Sequence, residues 1–260
     1  MQGDTRWHDA AANREYYGEL LRSLKGQGSD LIMLPETFLS GFTNDTLHQA
    51  EDMDGAGVHW LRALAADLGA VITGSLVVRE GGRYFNRLLW MQPDGQCPHY
   101  DKRHLFRMAG EHERYAGGAT RLIFEFKGWR VLPQVCYDLR FPVWLRNRRM
   151  ESAVGGMDYD LLLFVANWPE PRRLAWRTLL RARAIENLAC VAAVNRVGRD
   201  GNGLDYAGDS VVLDALGQPL MELGRSAQAV TVTLDPAALL AHRARFPAWM
   251  DADDFSLSEI

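Results

Sequence analysis

Three short, uninterrupted apolar runs constrain this chain more than any other feature: Leu31-Ile32-Met33-Leu34, Leu161 to Ala166 and Ala189 to Val194. Each is too short for an ordinary helix, and none alternates with polar residues as a half-exposed strand would. They read as strands covered on both faces, which requires a packed layer on either side. Helical spacing appears between them. Tyr17, Leu20, Leu21 and Leu24 follow the capping residue Asp9 and stop at Gly26; Val58, Leu61, Leu64, Ala65 and Leu68 stop at Gly69; a third helix is predicted over Pro171–Leu188. Buried strands alternating with helices define an α/β chain. Its sheets are mixed, because Ala70–Val78 and Tyr84–Met91 read as strands, Pro93-Asp94-Gly95 makes a hairpin turn, and Leu122–Phe126 and Val131–Val135 flank Lys127-Gly128. The final third predicts strands at Ser210–Leu213, Pro219–Leu223 and Val230–Leu234, and Asp235-Pro236 then opens a last helix and tail over 236–260.

No Ser/Pro tract, charge block or repeat divides the 260 residues, so one domain over 1–260 is expected. The net charge of −4 speaks against nucleic acid as a partner, since that footprint is a basic surface. Cys97, Cys136 and Cys190 are odd in number and widely spaced, which suits neither a disulfide framework nor a metal site and fits a reducing compartment. No run approaches membrane-spanning length and no apolar leader is visible, so a soluble, cytoplasmic protein with no membrane partner is expected.

Chemistry concentrates in Val131 to Pro142, where a strand climbs to Cys136 and Pro142 suits the first turn of a following helix. A thiol on such a bend lies beside unclaimed backbone N–H groups, which together with a helix dipole favour a thiolate. The plain alternative is an ordinary buried thiol. Two further strand ends carry Glu36 and Trp168, and ligand crevices in α/β sheets lie beyond the carboxyl ends of strands. Lys102 opens a charged, histidine-rich loop from Asp101 to Gly118. Thiol, carboxylate and ammonium at one crevice would supply nucleophile, base and oxyanion stabiliser, although a loop carboxylate or lysine is more often simply solvated. Three rivals compete. A zinc hydrolase would need histidine where Ala116 follows His112-Glu113, and a Cys–His pair could draw on His104. Arg173, Arg177 and Arg181 share one helix face, which would serve a non-catalytic binding module or simply pair with carboxylates.

Four words of sequence carry a family resemblance: Leu34-Pro35-Glu36-Thr37-Phe38 with Ser40-Gly41-Phe42, Tyr100 to Phe106, Gln134 to Pro142, and Arg181 to Asn187. In order and spacing the chain resembles the nitrilase superfamily, the carbon–nitrogen hydrolases. Ala166-Asn167-Trp168-Pro169 and Phe246-Pro247-Ala248-Trp249 look most like the omega-amidase branch. The resemblance implies a four-layer α-β-β-α sandwich with two mixed sheets, dimerised through helices. It implies Cys136 as nucleophile, Glu36 as base, Lys102 as oxyanion donor and a second loop glutamate, with Glu111 fitting by position and Glu113 as its rival. Tyr137 would add a backbone N–H to the oxyanion site. The substrate implied is a small carboxylate-bearing amide, a 2-oxo-acid amide, hydrolysed through a thioester without metal or organic cofactor. Trp168 would cover its methylenes. Arg172 would clamp its carboxylate, or else face solvent at a capping turn. The family opens with an apolar strand, whereas this chain starts at Gln2-Gly3-Asp4-Thr5, where that strand would be ending, so neighbouring ladder groups are expected to lack it.

Overall fold

The computed structural model describes residues 1–150 and 153–257. Strands β1 (Leu31–Met33), β2 (Val71–Glu80), β3 (Arg83–Met91) and β4 (His99–Asp101) form a first sheet in that order. β1 runs parallel to β2, while β2–β3 and β3–β4 are antiparallel. The β2–β3 turn is Gly81-Gly82, both at positive φ, where a side chain would be strained. The second sheet contains β5 (Phe124–Phe126), β6 (Trp129–Val135), β7 (Leu161–Ala166) and β8 (Cys190–Asn195). After a separate ribbon of β9 (Val197–Arg199) and β10 (Asp205–Ala207), β11 (Val211–Leu213) and β12 (Pro219–Glu222) complete it on the far side of β8. β6, β7 and β8 are parallel and central; the outer strands are antiparallel.

The two sheets face each other. Val71, Leu88, Trp90 and Tyr100 of the first sheet join the core of β6, β7 and β8, whereas the alternate residues Ile72, Leu89 and Met91 pack beneath helices. That period of two divides the first sheet between two cores. Its outer face is covered by α1 (Ala10–Arg22) and α3 (Ala56–Leu68), with the single turn α2 (Thr46–Gln49) between them in sequence. After the short α4 (Pro142–Leu145), α5 (Arg173–Asn187) covers β8 through Trp176, Leu180 and Ala184. The result is four layers, α-β-β-α. Adjacent Leu162 and Leu163 on β7 are both wholly buried, so this strand has no solvent face, and each contributes about 1.5–3 kcal/mol by burial. No helix among the described residues is long and apolar enough to cross a membrane.

Local differences from the sequence expectation have identifiable causes. The helix expected from Pro171 begins at Arg173 after a 3-10 turn over Glu170–Arg172, and Leu188 closes it in the left-handed conformation, φ 47°. Val230–Leu234 forms no strand, because alternation describes a face and supplies no partner. No strand precedes α1 among the described residues. Gln2 makes an isolated antiparallel bridge with Gln228, Gly3 O accepts from Val197 N at 3.0 Å, and the Met1 ammonium donates to Met33 O at 2.7 Å. Beside them a cleft lined by Met33, Val131, Val194 and Val230 continues between the sheets. The last helix, α6 (Pro236–Arg245), is capped by Asp235 as expected, with Pro236 in its first turn.

Candidate active site

Glu36 stands three residues beyond β1, Cys136 immediately after β6, Asn167 and Trp168 immediately after β7, and Lys102 immediately after β4. The two sheets therefore each deliver part of one site. Lys102 and Cys136 line a cavity of ≈ 630 Å³, and Glu36 and Glu111 lie behind them, fully shielded from solvent. The structure also separates the two loop glutamates. Glu111 enters the site from a 3-10 turn, whereas Glu113 points outward, 70 % exposed, toward His112.

Lys102 Nζ donates to Glu36 Oε1 at 2.9 Å and to Glu111 Oε1 and Oε2 at 2.9 and 3.0 Å. Burial pulls the Lys102 ammonium down, but the charges of Glu111 and Glu36 outweigh it and hold the lysine well above its ordinary pKa. Burial pushes Glu111 up, with Lys102 opposing and Glu36 adding to the rise. A buried cation between two buried carboxylates is costly to assemble and far costlier to break by removing one member. Neutral donors complete it. Asn86 Nδ2 reaches Glu36 Oε1 at 2.8 Å, Asn167 N reaches Glu36 Oε2 at 2.7 Å, and Phe106 N reaches Glu111 Oε2 at 2.6 Å, which ties the loop to the site. Asn167 Nδ2 also bonds Glu36 O and Thr37 Oγ1, both at 2.8 Å, fixing the turn after β1.

Cys136 sits at φ 46°, a left-handed conformation that is strained for a residue with a Cβ. The turn that follows it, a 3-10 helix over Cys136–Arg140, leaves its first backbone N–H groups, including that of Tyr137, without intrahelical acceptors. The expected resting thiolate is not what this setting favours. Burial, then the negative charge of Glu36, push the Cys136 thiol well above its ordinary pKa, and Lys102 only partly offsets them. A single short turn offers little dipole, and its donors do not replace lost water. The resting group is therefore a thiol, its pKa raised by burial and the nearby Glu36 charge, and its Sγ points to Asn167 O at 3.8 Å.

Asp138 buttresses this turn. Its buried carboxylate accepts from Val135 N at 3.1 Å, Tyr100 OH at 2.9 Å, His104 N at 3.0 Å and His104 Nδ1 at 2.7 Å. His104 is thus engaged by Asp138, and the Cys–His pairing considered from the sequence does not form. The α5 arginine face is paired within the chain: Arg173 with Asp209, Arg177 and Arg181 with Glu222.

The cavity wall is aromatic. Trp168 Nε1 donates to Arg172 O at 2.8 Å, and the Tyr137 and Phe106 rings meet at 5.0 Å between centroids. Arg172 is half-buried, its guanidinium 5.1 Å from the Phe106 centroid, inside the cavity and not out in solvent. Asn86, Asn167, Asp138 and Arg140 were given no role from the sequence. Asn86 carried a usable signal, a polar residue amid the apolar Phe85 and Leu88 of a buried strand. In chemical terms the site can deprotonate a thiol, stabilise an oxyanion beside an ammonium and hold an apolar, acid-ended ligand.

A family model described as carbon–nitrogen hydrolase matches residues 1–243. The chain is similar to the omega-amidase YafV of Yersinia enterocolitica, 49% identical over 259 residues, covering 99% of this chain and 96% of that protein. It is also similar to the 2-oxoglutaramate amidase of Bacillus subtilis, 33% identical over 226 residues, covering 86% and 85% respectively. Among solved structures it is similar to a carbon–nitrogen hydrolase superfamily protein of Xanthomonas campestris that carries an arsenic adduct in its active site. That match has a TM-score of 0.96 and 62% identity, covering 99% of this chain and 97% of that one.

Proposed function

The chain belongs to the carbon–nitrogen hydrolase family and is an amidase, and on that footing we propose that it hydrolyses the terminal amide of a small 2-oxo acid through a cysteine thioester. The observation that carries the mechanism is Lys102, bonded at 2.9 Å to both Glu36 and Glu111, beside the buried Cys136 thiol that the Glu36 charge helps to hold protonated. As Cys136 Sγ bonds the amide carbon, its proton passes to the Glu36 carboxylate, so charge is created only during attack. The carbonyl oxygen becomes an oxyanion between the Lys102 ammonium and the Tyr137 N–H. Collapse breaks the C–N bond, and Glu36 returns its proton to the departing ammonia. Water then attacks the thioester with Glu36 again as base, regenerating thiol and carboxylate. Glu111 keeps Lys102 in place and charged, and Trp168 covers the apolar part of the substrate.

Arg172 supports the acid-bearing substrate, since a guanidinium holds a carboxylate through two parallel hydrogen bonds. The names of the omega-amidase and 2-oxoglutaramate amidase relatives support the same class. The reading includes a homodimer through α5 and the Phe246–Trp249 segment. Ammonia release from a panel of acid-bearing and neutral amides, with Cys136→Ala as control, tests it. Release that survives Cys136→Ala would sink the thioester mechanism, and equal rates on neutral and acidic amides would sink the substrate class.

A further inference from the structure

Among the described residues, two guanidinium groups lining the cavity touch aromatic rings but have no carboxylate or other acceptor. We infer that Arg140 is a second substrate-binding cation and that it and Arg172 together take the acid head of the substrate. This rests on the acid-amide reading above and adds the residue that fixes the substrate's far end. Arg140 closes the turn that begins at Cys136, and its guanidinium lies 5.0 Å from the Trp168 centroid. Arg172 closes the turn after β7, stacked on Phe106. Both line the cavity that contains Cys136. Each lies over an aromatic ring, and a cation–π contact uses none of the guanidinium's N–H donors as hydrogen bonds.

Among the described residues neither guanidinium meets a carboxylate or another acceptor. The fully buried arginines and several half-buried ones differ, and Arg183, for one, meets Glu186. Arg87 meets Asp101, Arg130 and Arg243 meet Asp160, Arg173 meets Asp209, and Arg196 meets Asp4. The acids of the cavity are also occupied. Asp200 accepts from Asn202 N, Leu204 N and Tyr206 OH, and Asp45 pairs with His48. Glu36 and Glu111 are taken by Lys102. Of the charged groups on the wall, the two guanidinia are therefore the ones left without a hydrogen-bond partner among the described residues, and an anion from outside can supply it. A carboxylate offers two oxygens and about four lone-pair sites, enough for two guanidinia at once. An ammonium on the neighbouring carbon would bring a third cation against them, whereas a carbonyl there would bring one more acceptor. The pair thus favours acid amides without an adjacent ammonium.

The test compares kcat/KM on glutaramate, on pentanamide as the neutral amide of equal length, and on glutamine. Wild type, Arg140→Leu and Arg172→Leu are measured, each checked by thermal unfolding. The glutaramate-to-pentanamide ratio should fall about ten- to hundredfold in either variant, the range for a lost hydrogen bond to a charged group. The glutaramate-to-glutamine ratio should fall with it. Arg140→Lys, which keeps charge without the fork, should retain part of the preference and serves if the leucine variant does not fold. A wild-type preference that survives both Arg140 replacements overturns the role of Arg140 alone. A wild-type ratio near one, seen before any variant is made, removes the acid-amide reading and this site together.

Discussion

Cys136 is surrounded by groups that resist its ionisation, and this has a direct kinetic signature. A free cysteine alkylates faster as pH rises through about 8.5. Burial and the Glu36 charge hold the Cys136 thiol well above that, so iodoacetamide labelling of Cys136 should show no inflection between about pH 7 and 9. Glu36→Gln should slow the labelling, and an ordinary thiol titration curve would contradict the concerted step. Lys102→Met keeps the chain length and removes the charge. It should lower kcat by about a hundred- to thousandfold with KM little changed. Its loss also removes the ammonium that opposes the rise of the buried Glu111 carboxyl, which moves that group further up and the acid limb of the rate profile to higher pH. A lowered kcat with an unmoved acid limb would mean that the lysine does not hold Glu111 ionised. Part of this site was legible at single positions, since Glu36 and Cys136 follow strands that their apolar runs announce, whereas Lys102 follows the short β4, His99-Tyr100-Asp101, which no apolar run announces. The choice of Glu111 over Glu113 was legible only through the family resemblance and not from the residues themselves. Two carboxylates two residues apart differ only in which side of a single turn they leave, and Gly110 at φ 74° sets that.

At the level of elements, apolar continuity located β7 and β8 well because burial on both faces of Leu161–Ala166 and Ala189–Val194 leaves no polar position to confuse the pattern. It failed at Val230–Leu234, where alternation was present and a ladder partner was not. The anchoring of α6 was also invisible, since it depends on Arg243 reaching across 83 residues to Asp160. Arg243 Nη1 bonds Asp160 Oδ1 at 2.6 Å, Nη2 bonds Tyr159 O at 2.7 Å, and Nε bonds Leu188 O at 2.8 Å. Burial raises the Asp160 carboxyl, but hydrogen bonds from Arg130 and Arg243 outweigh it and leave its pKa below the usual value. Folded Asp160 therefore binds its proton more weakly than the unfolded chain does. Its contribution is complete above about pH 4 and is lost as pH falls through the folded value. Asp160→Asn should cost about 3 kcal/mol in urea denaturation from pH 8 to 5, the cost of stranding a buried charge, and the gap should narrow below about pH 4. A gap independent of pH would assign the loss to packing.

At the scale of the whole molecule, α5 carries Leu174, 80 % exposed, and Ile185, 54 % exposed, on a helix whose arginines are already paired within the chain. Charge satisfied internally and apolar side chains left outside suit a second copy better than a nucleic acid. Light scattering at micromolar concentration should report a dimer, and Leu174→Asp should shift it toward monomer; a monomeric wild type would end this assembly. The division of the site between the sheets reaches further. Glu36, Lys102 and Glu111 precede β5, and Cys136, Asn167 and Trp168 follow it, joined by bonds such as Asn167 N to Glu36 Oε2 across 131 positions. A ribosome therefore releases no competent hydrolase midway through synthesis. The nascent amino-terminal half holds a base with nothing to deprotonate, and the carboxyl-terminal half holds a thiol with no base. Turnover begins only when the sheets dock, which makes ammonia release a gauge of folding and suits the chain, cut at the exposed Lys127-Gly128 turn, to serve as a split reporter of two proteins meeting.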